Sequence, residues 1–322
     1  MARIMNTAAP ATTSQAAQQC ASAVCMVRPA AFAYNTQTAL TNRLQVAGGQ
    51  PTADAVAARA EFDAMGQTLR AAGVQVCVVE DSPVPPKPDA VFPNNWVSFH
   101  ADGTVVLYPM MTPNRRIERR ADLIDTVCRE LGFVERRRID LTDYEAERRF
   151  LEGTGSLVLD HPQRLAFACR SPRTDEALVH EWCRHLGYEA VVFDAATPDG
   201  TPVYHTNVLL WIGETLAGLG LDWVADRDRR RVVAALSASG REILPLPGTA
   251  LSQFAGNMLE LGTPHGPGGR ALVMSASAAA ALDPPWRERL DAATDQLIIV
   301  PVPTIERLGG GSVRCMLAEV PT

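Results

Sequence analysis

Five chemically distinctive residues recur at a near-regular interval along this chain. Asp89, Glu152, His205, Asn257 and Cys315 are separated by 63, 53, 52 and 58 residues, and each precedes a short apolar run. Brought together, they would offer one thiol, one imidazole, two carboxylates and one amide. A cysteine attacks as its thiolate, and an imidazole titrating near neutrality can hand a proton to a departing amine. Two carboxylates in a closed pocket favour a cationic partner, and a guanidinium is planar, forked and permanently charged. The set suits attack on the carbon of a guanidine-like group. Cys315 would be the nucleophile and His205 the general acid and base, with Glu152 orienting His205 or binding the substrate's nitrogen and Asp89 binding the guanidine or ureido group. Asn257 would bind polar groups of the substrate or satisfy backbone.

Taken singly, each residue has an ordinary explanation. A buried cysteine is usually inert, a histidine at a strand start is usually just satisfied, and an aspartate after Pro88 suits a turn. Their common register distinguishes them. The other six cysteines and the other five histidines lie outside it.

The elements that must position these residues repeat as well. Strands are expected at Ala23–Arg28 and Val74–Glu80, with an amphipathic helix over Asp54–Ala72 that carries Ala55, Ala58, Phe62, Met65 and Leu69 at helical spacing. The same order of strand, helix and strand follows four more times. The helices are expected near Ile117–Leu131, Thr174–Leu186, Ala225–Ser239 and Pro285–Thr294. Each pass ends in one of the five residues at the head of an apolar strand. Five passes with a period of 50–60 residues describe a repeat architecture. Units of this size can close into a ring whose strand ends converge on one central pocket. The expected fold is thus α/β, a five-bladed α/β-propeller with pseudo-fivefold repeats around a central site. Residues 23–322 would form its single domain, and residues 1–22 a mobile N-terminal segment.

Composition is consistent with this and narrows the partners. The chain has 322 residues, 47% hydrophobic and 20% charged, with a net charge of −6. A disordered chain would be more charged and less apolar, and a nucleic-acid binder would usually carry a basic stripe. Lys87 is the single lysine. No apolar run approaches the roughly 20 residues of a membrane helix, and the Ala/Thr/Gln-rich start lacks a secretory core. Seven cysteines with no CxxC pair fit neither a disulfide framework nor a zinc site. We therefore expect a cytoplasmic protein that binds a small-molecule amino acid, with no nucleic-acid or membrane partner and no metal.

On these residues the chain resembles the guanidine-modifying enzymes of the pentein superfamily. They include arginine deiminase, dimethylarginine dimethylaminohydrolase and the amidinotransferases. GGGSVRCM is similar to the glycine-rich segment with the nucleophilic cysteine, HTN at 205–207 to the family's His-x-polar, LEGTGS at 151–156 to its Glu-Gly-Gly strand, and DAVFPNNW at 89–96 to its Asp-x-x-Phe segment. VRPAAFAYNTQTALTN, PDAVFPNNW and FAGNMLEL resemble a bacterial branch of arginine-deiminase-related, citrulline-utilisation hydrolases. The resemblance runs from about Cys25 to Val320. It implies covalent catalysis through an S-linked thiouronium or thiocarbamoyl intermediate, with no cofactor. It also implies that NRRIER and SPRTD hold a substrate α-carboxylate, through Arg116 and Arg173. Asn94 and Asn207 are further candidates for substrate binding, and a homodimer is common for such enzymes.

One departure bears on the substrate. The superfamily's deiminases have His-x-Asp where this chain has Asn207, and the acid of Glu-Gly-Gly-Asp is also missing. A less acidic pocket accommodates a neutral ureido group better, which favours citrulline-like substrates over arginine. Methylarginine hydrolases, which also lack the acid, still bind guanidines. An amidinotransferase on the same scaffold, or a non-catalytic binding protein of the same fold, remains an alternative.

Overall fold

A computed structural model describes residues 3–6, as backbone, together with 18–266 and 268–322. The described chain forms five small sheets of one design. In each, a short strand lies antiparallel to a middle strand, and the middle strand pairs parallel with a third. Parallel pairing requires a crossover between the two strands, and helices supply it. They span Pro51–Ala71, Ala121–Leu131, Glu176–Leu186 and Asp226–Ser237, with Ala276–Ala281 and Pro284–Ala293 in the last unit.

Local sequence sets several of these bounds. Asp175 caps the helix Glu176–Leu186 by accepting from Leu178 N at 3.0 Å, and Gly187 ends it in the left-handed region at φ 70°. The middle strands are covered on both faces and read as continuous apolar runs, as in Ala23–Arg28 and Leu165–Cys169. Side chains such as Phe167, Phe193, Trp182 and Met65 are fully buried between sheets and helices. Truncating one of the aromatics to Ala costs about 3–5 kcal/mol in such a core.

The repeat is offset from the sequence reading by one strand. The short strand that follows each of the five distinctive residues joins the sheet of the next pass. Val97–Phe99 thus pairs with Thr104–Leu107, and Ala318–Val320 pairs with Ala23–Arg28, so the ends of the described domain share a sheet. The helix expected from Ile117 begins at Ala121, because Pro113 starts its own turn, Pro113–Arg116, and Arg120 is extended. The helix Pro303–Gly309, just ahead of Cys315, was not expected. Most of the expected mobile segment, residues 1–22, lies outside the described residues. Within it, Arg3–Asn6 pairs with Arg137–Asp140, and the buried Gln19 donates to the carbonyls of Leu159 and Ile212. Among the described residues no helix is long and apolar enough to cross a membrane.

Candidate active site

The five distinctive residues sit ahead of the short strands, not within them. Glu152 sits at the N-cap position of a one-turn helix at Gly153–Ser156, and His205 at that of a 3-10 turn at Thr206–Val208, neither side chain bonding the turn itself. Small residues let these turns approach one another. A Cβ on Gly155 would lie 2.7 Å from both His205 Nδ1 and Asn95 Nδ2, so only glycine admits the ring there.

Asp89, His205 and Cys315 line one narrow cavity, together with Arg115, Arg173 and Tyr204. Glu152 stands behind His205. It is fully buried, and its Oε1 accepts from Met111 N at 3.0 Å. Its Oε2 lies 2.9 Å from His205 Nε2 and 3.3 Å from Arg173 Nη1. Burial opposes its charge, but the Arg173 guanidinium and His205 outweigh burial and hold the carboxyl well below the ordinary range. Burial pushes His205 down to about 4 against the pull of Glu152. The resting ring is therefore neutral at pH 7. An ionised carboxylate only accepts, so Nε2 carries the hydrogen and Nδ1 the lone pair.

Asp89 is buried in the lining of the same cavity. Its Oδ2 accepts from Asn35 Nδ2 at 2.7 Å and Thr38 Oγ1 at 3.1 Å, and Arg115 Nε lies 3.8 Å away. Its Oδ1 is buried without a partner. Burial raises its pKa against the attraction of Arg115. Arg115 itself is committed to Glu118 at 2.9 Å and to Asn95 Oδ1 at 2.7 Å.

Cys315 is 4% exposed, and its Sγ lies 3.2 Å from Asn257 Nδ2 and 3.4 Å from Asn207 Nδ2. The preceding glycines let Phe92 pack against this turn. Gly310 is left-handed at φ 60°, and its carbonyl accepts from Tyr204 at 2.7 Å. The segment from Asn35 to Gln45 is fastened over the cavity. Arg173 Nη2 donates to Thr38 O at 2.8 Å, Asn42 Nδ2 to Gly310 O at 3.1 Å, and Gln45 Nε2 to Leu308 O at 2.8 Å.

The structure thus brings together Asp89, Glu152, His205, Asn207, Asn257, Arg173 and Cys315. It does not bring Arg116 into the cavity lining. That side chain donates to the carbonyls of Met110 and Met111 and pairs with Glu145 at 3.2 Å. Its neighbour Arg115 lines the cavity, because adjacent residues on a one-turn helix point about 100° apart. Asn94 likewise lies one residue from the lining residue, Asn95, and braces the glycine-rich turn through Thr154 Oγ1 at 3.2 Å. Nothing in the spacing of NRR or NN distinguishes the inward member. Tyr204 carried no sequence signal beyond its place next to His205.

A buried thiol, an imidazole–carboxylate pair and a second carboxylate on five small α/β sheets define the class. This is an enzyme of the pentein superfamily of arginine-modifying enzymes, and the family and neighbours that it matches hydrolyse carbon–nitrogen bonds outside peptides. Residues 28–322 match the family described as N,N dimethylarginine dimethylhydrolase, eukaryotic, and the chain belongs to that family.

The fold is also that of several solved structures. The N-terminal domain of ArgZ, an arginine dihydrolase from the ornithine–ammonia cycle in cyanobacteria, bound to its substrate, matches with a TM-score of 0.71 and 17% identity. That match covers 93% of this chain and 98% of the other. AgrE in complex with L-arginine matches with a TM-score of 0.71 and 15% identity, over 93% of this chain but 40% of the longer AgrE. A dimethylarginine dimethylaminohydrolase adduct with 4-chloro-2-hydroxymethylpyridine matches with a TM-score of 0.61 and 17% identity, over 92% and 98% of the two chains. No curated protein sequence matches the chain.

Proposed function

We propose that this chain is a cysteine hydrolase acting on the terminal guanidino or ureido group of an arginine-related amino acid, at the centre of five blades closed into a ring. One observation carries the reading. Cys315, His205 backed by Glu152, and a carboxylate with an unpartnered oxygen, Asp89 Oδ1, meet at a single cavity. A buried acceptor without a partner is costly, and the N–H donors of a guanidino or ureido group satisfy it. Asn207 Oδ1 is a second such acceptor.

The chemistry follows from the protonation states. The Cys315 thiol passes its proton to His205 Nδ1, and the sulfur attacks the central carbon. His205, held by Glu152, then gives that proton to the departing amine. An S-linked thiouronium or thiocarbamoyl group remains on Cys315. His205 takes a proton from water, the hydroxide attacks the same carbon, and the C–S bond breaks.

The substrate's head is read by neutral groups beside the sulfur, Asn207 and Asn257, and by Asp89 in the same lining. This supports a ureido substrate such as citrulline alongside a guanidine such as arginine. ArgZ is an arginine dihydrolase and AgrE has been seen with L-arginine, which agrees with an arginine-type skeleton here. The test is parallel incubation with citrulline, arginine, methylarginines and agmatine, using Cys315→Ser as the control. Ornithine and ammonia from citrulline, lost in the control, is the expected result. Turnover of arginine derivatives alone would retain the mechanism and overturn the preference drawn from Asn207.

A further inference from the structure

We infer that Thr206 is a positioning residue for the His205–Glu152 pair, its hydroxyl tying the turn that carries the imidazole to the turn that carries the carboxylate. This deepens the proposed function and rests on His205 as its acid and base.

The hydroxyl is held by two buried backbone groups. Thr206 Oγ1 accepts from Cys169 N at 2.8 Å and donates to Ser156 O at 2.6 Å. A backbone N–H only donates and a carbonyl only accepts, so the single hydroxyl hydrogen is directed at Ser156. Cys169 Sγ, at 3.5 Å, has Val203 O as its own acceptor at 3.4 Å. Ser156 ends the one-turn helix Gly153–Ser156, and its Oγ accepts from Glu152 N at 3.0 Å. The bonds thus close a ring. Glu152 is joined to Ser156, Ser156 to Thr206, Thr206 along the chain to His205, and His205 Nε2 back to Glu152 Oε2 at 2.9 Å. Glu152, Ser156 and Thr206 are fully buried and His205 is 2% exposed, so these bonds form away from bulk water.

Three elements meet at this hydroxyl. Cys169 ends the strand Leu165–Cys169, which is paired on both sides, whereas Glu152 and His205 stand at the heads of turns of three or four residues. A 3-10 turn has poorer hydrogen-bond geometry than an α-helix, so outside contacts set its direction. Without the hydroxyl, the Cys169 N–H and the Ser156 carbonyl lose that partner inside the core, where an unpaired polar group is costly. The turns then shift to satisfy them. The imidazole must face Glu152 through Nε2 and the reacting centre through Nδ1, so a shift of its turn is felt at both nitrogens. Serine in place of Thr206 keeps both bonds, and valine keeps the shape but neither bond.

The experiment compares wild type with Thr206→Val and Thr206→Ser on the full chain, isotopically labelled in its histidines. Proton NMR at pH 7 reads the Nε2–H proton held by Glu152, assigned by its loss in His205→Gln. On the same samples kcat and KM are measured with citrulline and with arginine. In Thr206→Val that proton is expected to move upfield and to exchange with water about tenfold faster or more. There kcat is expected to fall about tenfold or more while KM changes less than about twofold. Thr206→Ser is expected to restore both readings. Should Thr206→Val fail to fold, Thr206→Ala removes the same hydroxyl and is read in the same way. An unmoved proton, or an unchanged kcat, overturns the tie even where the unfolding midpoint drops, and so does an equal loss in Thr206→Ser. Cys315-dependent turnover with the proton unmoved in Thr206→Val rejects the tie and keeps the proposed function. The expected proton shift, restored in Thr206→Ser, without turnover of either compound by wild type supports the tie and rejects that function.

Discussion

Glu152 and Arg173 are joined through both backbone and side chain. Glu152 N donates to Arg173 O at 3.3 Å, and Arg173 Nη1 reaches Glu152 Oε2 at 3.3 Å. The same guanidinium holds Thr38 O and Thr41 Oγ1, both on the segment that covers the cavity. One arginine therefore ties the carboxylate behind His205 to the cover over Cys315.

Removing that tie has two expected effects. Arg173→Met leaves Glu152 buried with one cation fewer, a loss of about 3–5 kcal/mol for a broken buried pair. It also frees the 35–45 segment. Denaturant unfolding should show the lower stability, and limited proteolysis should cut that segment faster than in wild type. Unchanged proteolysis would mean that Asn42 and Gln45 alone hold the cover.

Acid should destabilise the protein through His205. Its folded pKa, about 4, lies below the ordinary 6.5. Between these values the unfolded chain binds the proton and the folded chain does not, so stability falls as pH falls from about 6.5 towards 4. From pH 7 to pH 5 this group alone accounts for about 2 kcal/mol. Glu152 acts in the same direction: its depressed carboxyl stabilises the fold above its unfolded pKa and loses that contribution as pH drops through the folded one. Unfolding at pH 7 and pH 5 should show a smaller pH effect in His205→Gln than in wild type.

Gly155→Ala tests the positioning of the imidazole. The added Cβ would sit 2.7 Å from His205 Nδ1, and the ring must shift. A displacement near 1 Å at a reacting group costs about 100-fold in rate. We expect kcat to fall by about that factor while the unfolding midpoint changes little. Equal losses in both would assign Gly155 to folding instead.

Asp89→Asn separates the two substrate types. It removes the negative charge from a group whose Oδ1 is unpartnered but keeps its size. kcat/KM for arginine or a methylarginine should fall at least tenfold more than for citrulline, since a charge-assisted hydrogen bond is about twice as strong as a neutral one. Equal losses would remove Asp89 from reading the substrate's charge.

Much of this architecture was legible in the sequence. The strands Ala23–Arg28, Leu165–Cys169 and Glu189–Phe193 fall where their apolar runs put them, because such buried strands carry a dense signal bounded by polar turns. The register of Asp89, Glu152, His205, Asn257 and Cys315 was legible for the same reason, since each sits at the head of one such short strand. The one-turn helices around them were not. Gly153–Ser156 and Pro113–Arg116 are too short to show a helical period. The choice of Arg115 over Arg116 and Asn95 over Asn94 depends on the direction of a single turn, which composition does not encode. The fastening of Thr38 and Asn42 over the cavity is a contact between residues far apart in sequence, and no local pattern announces it.

The most direct test of the covalent account is to trap the intermediate. Wild type and His205→Gln would be mixed with citrulline or arginine, quenched in acid within a turnover, and digested for mass spectrometry. The account predicts a thiocarbamoyl or thiouronium adduct on the peptide carrying Cys315 in wild type, reduced in His205→Gln, where the thiol loses its base and the leaving amine its acid, and absent in Cys315→Ser. Turnover that survives in Cys315→Ser, or an adduct on any other residue, would contradict it.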